Sequence, residues 1–104
     1  MKISDFQRLI EDIYGAKDST RGTALSFMWF AEEVGELSRA LRRGDRESLE
    51  EEFADVFAWL STLASMHGVE LEQVARRKYG AGCPRCGKQP CACAESRPLA
   101  GTGR

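Results

Sequence analysis

The sequence from residue 23 to residue 43 is TALSFMWFAEEVGELSRALRR, and Gly44 follows it. Apolar residues recur in this segment at intervals of three and four, which is the period of an amphipathic helix. They are Phe27, Phe30, Val34, Leu37 and Leu41. Glycine commonly follows the last turn of a helix, so we expect a long helix that ends just before Gly44.

The rest of the chain predicts three more helices and no strand. Residues 4–14 have capping-box spacing at Ser4 and Gln7, and Gly15 is expected to end that helix, leaving residues 16–22 as a loop. A third helix, capped by Asp45 or Ser48, is expected to close at His67 and Gly68, and a short fourth to span about residues 70–79. We therefore predict an all-α protein, an antiparallel bundle of about four helices.

Length and composition set the domain organisation. A chain of 104 residues would bury only about 60–65% of its unfolded surface as a monomer, so oligomerisation would help to stabilise it. We assign residues 1–80 to the helical domain, 81–93 to a short Cys-rich extension resembling a zinc knuckle, and 94–104 to a disordered tail. No long apolar run and no signal-like segment occur, which indicates a cytoplasmic protein with no membrane partner.

Charge is distributed unevenly along the chain. Residues 1–75 carry eight Lys/Arg and fifteen Asp/Glu, whereas residues 76–104 carry seven and one. A solvated acidic surface with a basic tail is the simpler explanation, and cation binding with nearby phosphate contacts is the more specific one.

Two acidic motifs favour cation binding. Glu33 and Glu36 are three residues apart on the second helix, as are Glu52 and Asp55 on the third, so each pair shares a helix face. Packed antiparallel, the helices would bring four carboxylates together, and such oxygen ligands suit Mg²⁺ or Mn²⁺. A di-iron bundle normally requires two Glu-x-x-His motifs, and we reject it because the chain has one histidine.

The strings 31–37, AEEVGEL, and 51–56, EEFADV, resemble the paired motifs of the MazG-like all-α nucleoside triphosphate pyrophosphohydrolases. The resemblance covers roughly residues 4–79. It implies that Glu33, Glu36, Glu52 and Asp55 bind Mg²⁺. It also implies cleavage of a (deoxy)nucleoside triphosphate to a monophosphate and pyrophosphate by a homodimer or a dimer of dimers, in which dimerisation completes the helical bundle.

Other side chains are candidates for catalysis and substrate binding. Glu32 and Glu51 adjoin the proposed ligands and could orient or deprotonate the attacking water, although surface exposure is the simpler explanation for both. Trp29 and Trp59 could stack on the nucleotide base, or fill the core or a subunit interface. Lys17, Arg21 and Lys78 are the candidate phosphate contacts. Many relatives have a longer segment after the third helix, and its absence here leaves the substrate open.

All four cysteines, Cys83, Cys86, Cys91 and Cys93, lie within eleven residues. Four thiolates satisfy a closed tetrahedral site, so we expect structural zinc, with an iron–sulfur cluster or free thiols as alternatives. The runner-up function is a non-enzymatic helical module that uses this zinc knuckle to bind nucleic acid or protein. As an enzyme, the protein is not expected to bind nucleic acid, and phosphoribosyl-ATP is an alternative substrate.

Overall fold

The structure, a computed structural model, describes residues 1–95 of the chain. Within these residues there are four helices and no strand, which confirms the predicted all-α fold. The helices are α1 (Ile3–Arg21), α2 (Thr23–Arg43), α3 (Arg46–Met66) and α4 (Leu71–Tyr79). None of them is long and apolar enough to cross a membrane.

The chain divides into two compact units, Met1–Glu72 and Gln73–Arg104. The sequence predicted a different boundary, between residues 80 and 81, where the helical domain gives way to the Cys-rich extension. That boundary stays a prediction. Of the expected tail, 94–104, only Ala94 and Glu95 belong to the described residues.

The ends of α2 and α3 follow from local chemistry. Gly44 has φ 73°, and its N–H donates to Ala40 O at 3.0 Å, which closes α2 where the sequence predicted. Asp45 is the N-cap of α3, and the hydroxyl of Ser48 donates to its carboxylate at 2.6 Å. A connection of two residues lets α3 run back along α2.

The prediction for α1 was wrong at both ends. Lys2 is the N-cap, and its N–H donates to Asp5 Oδ2 at 2.9 Å, so Ser4 lies inside the helix. The helix continues through Gly15 to Arg21 and ends at Gly22, which has φ 84°. The polar residues expected to form a loop are helical because a tertiary contact through Asp18 stabilises them.

Gln7 connects the beginning of α1 to the corner between α3 and α4. Its side chain is buried; Nε2 donates to Val69 O at 2.7 Å, and Oε1 accepts from the Leu71 N–H at 2.9 Å. One amide therefore satisfies backbone groups on both sides of the turn that leads into α4.

Helix α3 is the centre of the first unit, since it packs against both α1 and α2 while those two touch each other little. Small side chains fill the closest approaches: Ser26 and Ser61 are fully buried, and Ala40 and Ala64 nearly so. The rings of Phe6 and Phe57 stack with centroids 4.7 Å apart.

Large apolar side chains remain exposed on α2 and α3. Phe27, Val34 and Leu41 recur every seven residues on α2 and are 42–56% exposed. Phe53 and Leu60 have the same spacing on α3 and are 55% and 40% exposed. Residues seven apart share a helix face, so each helix presents an apolar stripe to solvent.

Candidate functional site

Three of the four predicted metal ligands lie together. Glu33 of α2 and Glu52 and Asp55 of α3 each offer a carboxylate oxygen, and these oxygens lie within 4.8 Å of one another. The three-residue spacing puts Glu52 and Asp55 on one face of α3, and the packing of α2 on α3 brings Glu33 to it. We call Glu33, Glu52 and Asp55 the carboxylate cluster.

Electrostatic repulsion is strong within this cluster. The pKa of Glu33 is raised from 4.5 to about 7, first because burial penalises its charged form and then because Glu52, Asp55 and Glu36 repel a further negative charge. Glu52 Oε2 is buried and has no hydrogen-bond partner among the described residues. A buried oxygen of this kind is costly unless something binds it, so the cluster fits a hard divalent cation.

Glu36 lies outside the cluster. Its carboxylate forms an ion pair with Arg39, one turn further along α2. Gly35, which lies between Glu33 and Glu36 in sequence, has open space beside it, because a Cβ there would meet nothing within 4 Å. The two candidate general bases, Glu32 and Glu51, are exposed.

A cleft of about 240 Å³ lies beside the cluster, between α1 and α3. Asp55 belongs to both, because its side chain also lines this cleft. Of the residues predicted to contact substrate, Lys17, Arg21 and Trp59 line the cleft. The structure therefore brings two cationic side chains and an indole next to a carboxylate of the cluster.

A buried hydrogen-bond network fixes Arg21 in this cleft. Asp18 is 6% exposed and accepts from Arg21 Nη1 at 2.8 Å and from Thr62 Oγ1 at 3.2 Å. Arg21 also donates to Ser26 Oγ at 3.1 Å, and its guanidinium lies 4.8 Å from the centre of the Trp59 ring. Sequence reasoning missed Asp18 and Thr62; the three-residue spacing of Asp18 and Arg21 was the available signal.

The remaining substrate candidates lie elsewhere. Trp29 is 46% exposed on α2 and does not line the cleft. Lys78 belongs to the second unit, where its ammonium lies 5.5 Å from the centre of the Tyr79 ring.

The second unit holds the four cysteines in one group. Their Sγ atoms all lie within 4.8 Å of one another, and all four thiols are free. Backbone N–H donors, first that of Cys86, lower the pKa of Cys83 to about 6. Hydrogen bonding to Cys91 and then to Cys83 raises the pKa of Cys93 to about 12. We call these residues the cysteine cluster.

Comparison with protein families identifies the chain. Residues 23–86 match the family model of the MazG nucleotide pyrophosphohydrolase domain, which is more than half of the sequence. The chain belongs to this MazG family. The match covers α2, α3 and α4 and therefore the whole carboxylate cluster, whereas α1, with Asp18 and Arg21, precedes it. None of the curated proteins compared with the chain is similar enough to count as a match.

Membership in the MazG family agrees with the expectation drawn from the paired acidic motifs. Membership in this family supports the assignment of the protein to the nucleotide pyrophosphohydrolases. Enzymes of this family are generally metal-dependent. A nucleotide substrate is consistent with the family. The second member of the cysteine cluster, Cys86, is the last residue of the matched segment.

Proposed function

We propose that the protein is a Mg²⁺-dependent pyrophosphohydrolase that cleaves a (deoxy)nucleoside triphosphate to a nucleoside monophosphate and pyrophosphate. One observation carries the proposal. Asp55 is shared between a cluster of repelling carboxylates and a cleft that contains Lys17, Arg21 and Trp59. This arrangement offers a cation site next to groups that suit a polyphosphate and an aromatic base.

The proposed ligands of Mg²⁺ are Glu33, Glu52 and Asp55, with Glu36 as the fourth. Glu52 Oε2, buried and without a partner among the described residues, supports this assignment. Glu36 lies one turn from Glu33 and would have to leave Arg39 in order to bind. Mg²⁺, with Mn²⁺ as a substitute, would neutralise the non-bridging phosphate oxygens while it retains some of its waters.

The reaction is the hydrolysis of the anhydride between the α- and β-phosphates. Water attacks one of these phosphorus atoms, the bridging P–O bond breaks, and the proton lost by the water goes to a base or to solvent. Glu32 or Glu51 is the proposed base or water-orienting group, and the exposure of both leaves them accessible to water. The cysteine cluster takes no part, because a metal held by four thiolates has no open position for water.

The cleft side chains have distinct proposed roles. Arg21, held by Asp18, is oriented towards the cleft and would contact a phosphate, and Lys17 would supply a second, more mobile charge. Trp59 would contact the base or ribose through the part of its ring that Arg21 leaves uncovered. Trp29 and Lys78 stay candidate substrate contacts, although neither lines the cleft.

A cytoplasmic homodimer, or a dimer of dimers, is part of the proposal. The exposed apolar stripes on α2 and α3 support association because their burial would remove large side chains from water. Val34 and Phe53 are neighbours in sequence of the proposed ligands Glu33 and Glu52, so a partner on these stripes would lie near the cluster.

The test is a panel of nucleoside and deoxynucleoside triphosphates and phosphoribosyl-ATP, assayed with Mg²⁺ for monophosphate and pyrophosphate. We expect Glu52→Gln and Asp55→Asn each to lower kcat/KM at least about 100-fold, or about 2.7 kcal/mol of transition-state stabilisation. Glu50→Gln is the matched control, since Glu50 is exposed on the same helix and pairs with Arg46.

Two results would count against the proposal. Full activity in both cluster variants would remove the metal assignment. No turnover of any substrate, together with a salt-sensitive complex with RNA or DNA, would favour the non-enzymatic binding module.

A further inference from the structure

The cysteine cluster has the dimensions of a site for a single metal ion. The Sγ atoms of Cys83 and Cys93 are 3.8 Å apart, and those of Cys83 and Cys91 are 3.6 Å apart. Four sulfur atoms bound tetrahedrally at about 2.3 Å from one ion lie about 3.8 Å from each other. A disulfide would instead require about 2.05 Å, so these sulfurs are spaced as ligands of one ion.

The backbone around Cys83 forms a tight turn that holds the first two cysteines. Cys83 N–H donates to Lys88 O at 3.0 Å, and Gly87 N–H donates to Cys83 O at 2.7 Å. Gly87 has φ 70°, and Gly82 has φ 107° with no room for a side chain, since a Cβ would lie 3.1 Å from Lys88 O. Both glycines occupy positions that other residues adopt only with strain.

Backbone amides also point at the sulfurs. Ala92 N–H donates to Cys86 Sγ at 3.3 Å, and Cys93 N–H donates to Cys91 Sγ at 3.3 Å. Donors of this kind stabilise the thiolate form, which is the form that binds metal. The second half of the cluster therefore contributes both sulfur ligands and the amide that supports Cys86.

We infer that Cys83, Cys86, Cys91 and Cys93 bind one zinc ion through their four sulfur atoms, and that this site is structural. All four tetrahedral positions are taken by protein, so no water or substrate can bind the ion. The ion would offset the repulsion of four adjacent thiolates, and the segment 83–93 would depend on it for its conformation. This metal site is separate from the proposed magnesium site in both ligand type and sequence position.

Zinc is favoured over iron by two arguments. Thiolate sites generally bind Zn²⁺ more tightly than Fe²⁺. A four-iron cluster binds each cysteine to a different iron atom, which holds the sulfurs farther apart than the ligands of one ion.

Oxidation to disulfides is disfavoured in a reducing compartment, where four neighbouring thiols remain available to a metal.

The first experiment measures the metal content of the full chain, purified under reducing conditions and dialysed against EDTA. We expect about one zinc ion per chain, retained through dialysis, and four thiols that react with a thiol reagent only after the zinc is removed. Iron in place of zinc, a metal-free chain with four reactive thiols, or two disulfides would each overturn the inference.

The second experiment assigns the ligands. Loss of a group that only supports a metal ligand weakens metal binding by up to roughly 100-fold. Cys86→Ser and Cys91→Ser each remove a ligand, so each should weaken zinc binding by more than this. His67→Gln is the control, because His67 is the sole histidine in the sequence and imidazole is another common zinc ligand. Unchanged zinc affinity in either cysteine variant, or loss of zinc in His67→Gln, would contradict the assignment.

A cobalt-substituted protein gives a readout that does not depend on variants. Co²⁺ bound to four thiolates in a tetrahedron absorbs strongly in the visible and near-ultraviolet, whereas octahedral oxygen sites absorb weakly. We expect the strong spectrum at one equivalent of Co²⁺ and its displacement by one equivalent of Zn²⁺. A weak, octahedral spectrum would overturn the inference, and the measurement is independent of any nucleotide hydrolysis.

Discussion

Asp18 on α1 accepts a hydrogen bond from Thr62 on α3 at 3.2 Å, although the two residues are 44 positions apart in sequence. The same buried carboxylate pairs with Arg21 at 2.8 Å. Asp18 therefore stabilises the packing of α1 on α3 and also fixes the cation that faces the cleft.

Replacing Asp18 should destabilise the protein. Asp18→Asn removes the charge from a buried, hydrogen-bonded group, so we expect the free energy of unfolding to fall by about 1.5–3 kcal/mol in urea denaturation. Glu50→Gln is the control, since its pairing with Arg46 is exposed and should change stability by less than about 1 kcal/mol. Equal effects of the two substitutions would contradict the role given to Asp18.

Two glycines in and after α1 should respond to alanine in opposite directions. Gly22 has φ 84° and ψ 168°, a conformation that alanine adopts only with strain, so Gly22→Ala should cost about 1–3 kcal/mol. Gly15 lies inside α1, where a Cβ makes an ordinary contact of 3.6 Å with Glu11, so Gly15→Ala should add about 0.5–1 kcal/mol. Thermal unfolding of both variants checks this, and destabilisation by Gly15→Ala would argue against a continuous helix.

Glu33 should make the metal-free protein sensitive to pH. Its folded-state pKa of about 7 lies above the ordinary value of 4.5, so the folded state binds the extra proton between these values. The contribution of Glu33 to stability is therefore present below about pH 4.5 and is lost as the pH rises through 7. Carboxylate chemical shifts measured against pH would detect the titration, and a midpoint near 4.5 would refute it.

Divalent metal binding should show the opposite dependence on pH. The metal competes with the proton on Glu33, so Mg²⁺ affinity should increase from pH 6 to pH 8, with proton release that calorimetry in different buffers can measure. Glu52→Gln should lower the pKa of Glu33 only in part, because burial is the largest single cause and Asp55 and Glu36 still repel the charge. Glu50→Gln should leave this pKa unchanged, because Glu50 is not among the groups that raise it.

The exposed stripe on α2 should control oligomeric state. Val34 lies between Phe27 and Leu41 on this stripe, so Val34→Lys would put a charge in the middle of the proposed dimer interface. We expect sedimentation of the wild-type protein as a dimer, or a dimer of dimers, and a shift of the variant towards the monomer. Ile13→Lys, an equally drastic change at an exposed residue of α1, is the control. A monomeric wild-type protein would remove dimerisation from the proposal.

Much of the helical region could be predicted from sequence because its signals are local. Gly44 closes α2 through a left-handed backbone conformation, and Asp45 starts α3, so the apolar period and the capping residues agree. The paired acids could be placed near one another by the same reasoning, since short connections force neighbouring helices to run antiparallel.

The parts that could not be predicted depend on contacts between distant residues. The polar end of α1 is helical because Asp18 meets Thr62, a pairing that no local pattern indicates. The extension also supplies part of the cleft, since Lys17, Asp18 and Arg21 line it. Glu36 was grouped with the other acids by spacing, whereas the structure pairs it with its own neighbour Arg39.

The position of Asp55 has a thermodynamic consequence. One carboxylate faces both the acidic cluster and the cleft, so occupants of the two places would share a neighbour. A divalent ion and a nucleotide that both depend on it must then change each other's dissociation constants by the same factor, whichever arrives first. Calorimetric titrations of the ion and the nucleotide, in both orders of addition, should give the same factor.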